Sequence, residues 1–82
     1  MDIYKSLKNL DLKKGAYISF IDIKPSTKRR LIDLGFSTGR YVVPVFKSPL
    51  GDPTAYSVSG SVIALREDIA SHIMVTEENS DE

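Results

Sequence analysis

The spacing of apolar positions changes several times along the chain, and each change marks an element. Ile3, Leu7, Leu10 and Leu12 recur at steps near the helical period, which predicts a short amphipathic turn or two of helix. Lys13-Lys14-Gly15 reads as a turn, since glycine tolerates positive φ. Residues 16–23 are rich in β-branched and aromatic side chains and predict a strand. Its alternation is imperfect: Ile18 and Phe20 fall on one face, Ile21 and Ile23 on the other. Either both faces are partly buried or a bulge intervenes.

The pattern then turns helical. Ser26 is placed to cap a helix over residues 27–34, Leu31, Ile32 and Leu34 follow at helical spacing, and Gly35 is placed to end it. So short a helix is marginal alone and depends on packing, with two of those three apolar residues expected in the core. Lys28-Arg29-Arg30 lies in its first turn, the wrong end for the helix dipole. Ser37-Thr38-Gly39-Arg40 turns the chain into a strand, Tyr41–Lys47, where Pro44 requires an edge or a bulge. Residues 48–53 form a loop stiffened by Pro49 and Pro53. Two short strands over 54–59 and Ser61–Leu65 meet at Gly60, residues 66–71 make a helical turn, and Ile73, Met74 and Val75 close with a last strand. Five short strands with regular turn signals and one or two short helices predict a mainly β domain, a small SH3-like β-barrel.

Composition narrows the chemistry. Eighty-two residues make one small domain, with eleven basic and eleven acidic side chains and no cysteine. A disulfide framework and a thiolate site are thereby excluded, and one histidine excludes a site of several imidazoles. The start of the chain lacks a secretory signal, and no apolar run approaches the ~20 residues needed to span a bilayer. The expectation is a cytoplasmic protein with no direct membrane insertion. Positions 1–76, the expected domain, hold eleven basic and seven acidic residues, a net of +4. Residues 77–82 carry four acids and no base, and are expected to form an acidic, disordered tail.

Catalytic machinery is not legible. No Ser/His/Asp motif, phosphate-cradling glycine loop or paired carboxylates occur, so the chain is expected to be no enzyme and to hold no cofactor or metal. Asp68 and His72 would offer two metal ligands at most. The features that do suggest function are surface ones. Lys28, Arg29 and Arg30 form the densest basic cluster, and Leu50 is held out on a stiff loop, where it loses little entropy on binding.

Taken in order, Arg29-Arg30-Leu31-Ile32-Asp33-Leu34-Gly35-Phe36, then Gly39, then Pro49-Leu50-Gly51-Asp52-Pro53, then Gly60 and Ala64-Leu65-Arg66, resemble the FeoA family. The likeness runs from about Leu7 to Val75. Pro44 within a strand, Ser61 after Gly60 and the acidic tail depart from the family pattern. The resemblance implies an SH3-like barrel and an accessory role in bacterial ferrous-iron uptake, with the FeoB-type membrane permease and its GTP-binding domain as partner. A similar barrel ends the iron-dependent repressors of the diphtheria-toxin-repressor type, but with no helix-turn-helix pattern read ahead of it a repressor is not the expected reading. The expected partner-binding set is Lys28, Arg29, Arg30, Leu31, Asp33, Leu50, Gly51 and Asp52.

Nucleic acid is not an expected partner at zero net charge. Homo-oligomerisation is compatible with the strand interrupted at Pro44. A nucleic-acid-binding or peptide-binding barrel is the alternative. Of these, an SH3-type groove is disfavoured, because the core is expected to claim several of the seven aromatic residues.

Overall fold

The computed structural model describes residues 3–77. In chain order it forms β1 (Lys5–Ser6), a 3-10 turn (Leu7–Asn9), β2 (Ala16–Ile21), α1 (Pro25–Asp33) and β3 (Tyr41–Lys47). β4 (Thr54–Val58), β5 (Ser61–Leu65), α2 (Glu67–Ala70) and β6 (Ile73–Glu77) complete it. The strands make one antiparallel sheet in the order β1-β6-β2-β3-β4-β5. Among the described residues no ladder joins β5 to β1, so the sheet is open where a closed barrel was expected. β1 is only two residues long, and β5 runs on into α2.

The five expected strands are present, and β1 is a sixth that the local pattern concealed. Its two residues pair with Val75 and Met74, and the expected opening helix shrinks to the 3-10 turn. The imperfect alternation of β2 is a bulge between Ile18 and Phe20. It puts Ile18 and Ile21 on the same buried face and turns Tyr17 and Phe20 outward. Pro44 is accommodated in two ways at once. The register with β4 shifts just after it, and pairing with β2 stops at Val42, so no ladder bond is asked of its nitrogen.

The turn before β2 has its positive φ at Lys13. Gly15 serves a different need, because a Cβ there would overlap the Tyr41 side chain. At the other end of the chain, β6 ends at Glu77, the first residue of the expected tail. Glu77 bonds Lys5 at 2.7 Å across the sheet. That bond holds the Glu77 carboxyl below its usual range and raises Lys5. Residues 78–82 lie outside the described residues.

The core joins Leu7, Ile18, Ile21, Leu31, Phe36, Val42, Tyr56, Val58, Leu65, Ile73 and Val75. Phe36 and Tyr56 are its aromatic members among the described residues. Burial pushes the Tyr56 phenol above its ordinary value.

A candidate interaction surface

Two rigid pieces carry the residues expected to bind a partner. The first is α1. Pro25 stands at its first position, where a missing N–H costs nothing and φ is preset for the helix. The helix therefore starts before residue 27, Lys24 occupies the cap position, and no side chain, Ser26 included, caps it. Its end is tightly specified. The Phe36 N–H reaches the Leu31 carbonyl at 2.9 Å and the Gly35 N–H reaches that of Ile32 at 3.0 Å, with Gly35 at φ 113°. This is the Schellman arrangement, completed by burial of both Phe36 and Leu31.

That anchor decides what α1 shows to solvent. Leu31, expected in the partner-binding set, is 3% exposed and belongs to the core. Ile32 and Leu34 are 43% and 42% exposed, so one of the three apolar residues is buried rather than two. Lys28, Arg29, Arg30 and Asp33 are exposed on the same helix. Among the described residues none of these four forms a side-chain ion pair. The exposed side of α1 is thus a basic cluster next to two half-exposed aliphatic side chains.

The second piece is the loop between β3 and β4. Gly51 N–H bonds the Ser48 carbonyl at 2.8 Å, Ser48 N–H bonds that of Pro53 at 3.1 Å, and the Ser48 hydroxyl donates to the Asp52 carbonyl at 2.8 Å. The Asp52–Pro53 peptide is cis. At the apex Leu50 is 94% exposed, beside exposed Gly51. Asp52 turns the other way: its Oδ1 accepts the Glu67 N–H at 2.8 Å, and Oδ2 lies 3.7 Å from the Arg66 guanidinium. It therefore satisfies an orphan amide at the start of α2 and locks the loop onto that helix.

Alanine at position 52 is expected to lower stability by about 1 kcal/mol, as loss of a helix cap does. In a domain of this size that is roughly 4–8 °C in the thermal midpoint. Asp52→Asn keeps an acceptor and should retain most of the stability. Equal losses in both variants would show that the cap is not what Asp52 contributes.

The two pieces are not one patch. The Ser59 hydroxyl contacts the Gly35 carbonyl at 3.5 Å, so the C-terminal end of α1 abuts the β4–β5 turn, whereas the loop meets α2 at the other end of that hairpin. The five residues of β4, about 17 Å of strand, lie between.

Sequence reasoning also missed an aromatic surface. Tyr4, Tyr17, Phe20 and Tyr41 are all partly exposed. Tyr4 and Phe20 meet edge to face at 5.1 Å, and Tyr17 and Tyr41 at 5.0 Å. The signal was present in the broken alternation of β2, but only the position of the bulge tells which residues turn outward. His72 lies beyond the end of α2, so it does not share a helix with Asp68. Among the described residues no three His, Asp or Glu side chains gather into a metal site, and no helix is long and apolar enough to cross a membrane.

Comparison with known proteins agrees with this geometry. The FeoA domain family matches residues 5–77. The FeoA protein of Chlorobium tepidum is 30% identical, with a TM-score of 0.86 over 94% of this chain and 73% of its own. FeoA of Stenotrophomonas maltophilia, solved with zinc and described as a prokaryotic SH3 domain protein, is 34% identical, with a TM-score of 0.73 over 85% of this chain and 87% of its own. The T. acidophilum IdeR structure matches 95% of this chain with 36% of its own at a TM-score of 0.81, but its 24% identity shows a shared fold alone. No curated protein matches by sequence. With nearly the whole chain matched, it belongs to the FeoA family, which is associated with ferrous-iron transport.

Proposed function

We propose that this chain is a cytoplasmic, non-enzymatic accessory protein of bacterial ferrous-iron uptake. It binds the cytosolic part of an FeoB-type permease and assists or regulates Fe(II) transport. Family membership supports the process. The observation that carries the contact is α1, where Lys28, Arg29 and Arg30, without an ion pair among the described residues, stand beside half-exposed Ile32 and Leu34 on a helix fixed by a buried anchor. An apolar patch with a charged rim suits a protein interface, and its basic rim steers it toward acidic partner surface. Leu50 is a second, separate anchor, while Leu31 and Asp52 position the two pieces from within.

The test is an NMR titration of the labelled chain with the cytosolic region of the permease, with and without guanine nucleotide. Shifts are expected on α1 and on residues 48–53. Reversing Arg29 and Arg30 to Glu is expected to weaken binding about ten-fold, or ~1.4 kcal/mol, and to flatten its salt dependence. Unchanged affinity and salt slope would remove the steering role.

One observation favours a second reading. The core takes Phe36 and Tyr56 and leaves the other five aromatic residues exposed, four of them (Tyr4, Tyr17, Phe20 and Tyr41) in two ring pairs and Phe46 apart, so the reason for disfavouring an aromatic peptide-binding face no longer holds. Shifts confined to these four residues would replace the α1 contact with that face.

A further inference from the structure

We propose that β5 is a self-pairing edge through which two copies of this chain form a continuous antiparallel sheet, centred on Ile63. The two ends of the sheet differ in kind. At one end β1 is two residues long and carries Lys5, both features that discourage further pairing. At the other, Ser61–Leu65 has no charge, no proline and no bulge in its ladder with β4. Val62 is 66% exposed and Ala64 is exposed.

The hairpin fixes which groups of the edge are free. Ser59 and Gly60, both at positive φ, form a two-residue turn flanked by the pair Val58 and Ser61. Flanking residues of such a turn exchange ladder bonds, so Ser61, Ile63 and Leu65 point theirs toward β4. Val62 and Ala64 therefore turn their N–H and C=O groups away from it. No hydrogen bond to another described element takes them up.

This spacing is self-complementary. With Ile63 opposite Ile63 of a second copy, Val62 faces Ala64 twice, and the free groups meet as two bonded pairs. Charge agrees with this occupant. The paired stretch is uncharged, and the register sets Arg66 opposite Gly60 of the other copy. There the neighbouring Ser59 touches Gly35, at the negative end of α1. Area limits the strength: one five-residue edge falls well short of the ~800 Å² per partner of a stable complex, so weak pairing is expected, with a dissociation constant on the order of 0.1–1 mM.

The test uses the full chain in sedimentation equilibrium from about 0.02 to 2 mM, spanning that range. The mass is expected to rise toward that of a dimer, and Ala64→Lys, at an exposed position, is expected to keep the fold and abolish the rise. Because the chain has no cysteine, single cysteines report the register. Oxidised Ile63→Cys is expected to cross-link, whereas Val62→Cys, about 8 Å from its own copy across the axis, is too far to bridge. A monomer at every concentration, a dimer indifferent to Ala64→Lys, or equal cross-linking of both cysteines would each overturn the proposal. So would a monomer whose permease binding is lost with Ala64→Lys, since the edge would then take a partner strand instead of a second copy. The Arg29 and Arg30 reversals test the α1 contact and Ala64→Lys tests the edge. A dimer that persists when the reversals leave permease binding unchanged counts against the α1 contact alone, and a monomer whose permease binding is lost with the reversals counts against the edge alone.

Discussion

Phe36→Ala is expected to remove about 3–5 kcal/mol of stability, the usual cost of truncating a buried phenylalanine. Phe36 is fully buried, and it is also the residue whose N–H closes the end of α1. Truncation leaves the backbone bond in place but removes the side chain that seals it against Leu31. A domain of this size holds roughly 4–12 kcal/mol in all, so the variant stands near the edge of folding at room temperature. Urea unfolding followed by circular dichroism checks this. A loss below about 1.5 kcal/mol would show that the core closes over the gap, and that Phe36 is less central than its burial indicates.

The second large effect separates neighbours on one helix. Leu31→Ala is expected to cost about 2–5 kcal/mol, whereas Ile32→Ala should stay near 1 kcal/mol or less because its side chain is already half in water. Binding to the permease region should show the reverse order once both variants are folded, with Ile32→Ala the weaker binder. Paired measurements of urea midpoint and affinity decide it. If Leu31→Ala is the poorer binder while still folded, then α1 presents a different face from the one its burial pattern indicates.

Most of the sheet was readable because its strands carry local signals: β-branched runs bounded by Gly, Pro and Ser, and a proline that could be accommodated only at an edge or bulge. The end of α1 was readable for the same reason, since Gly35 marks it locally; that Phe36 seals it is seen only in the fold. What was hidden depended on distant partners. β1 has two residues whose strand character comes from Val75 and Met74, so the local pattern read as helix. The fate of Leu31, Ile32 and Leu34 could not be fixed by spacing alone. Leu31 and Leu34 lie on neighbouring sides of a helix, yet only Leu31 is drawn inward by Phe36. Asp52 belonged to the expected binding set through its place in the loop motif. That it serves an amide fifteen residues away is a tertiary fact.

The joining of β1 to β6 has a kinetic consequence. Lys5 and Glu77 stand 72 residues apart in sequence, while β4 and β5 are linked by a tight turn. Each doubling of a closed loop adds only about 0.6 kcal/mol, so bringing the ends together is thermodynamically mild. It is slow nevertheless, because distant contacts stabilise the chain only after the closure entropy is spent. The two-residue ladder at the ends is therefore the last part of the sheet to assemble and the first to open. Its opening would leave the β2–β6 ladder standing, and the bonds that fix the end of α1 and the Leu50 loop involve no residue of β1.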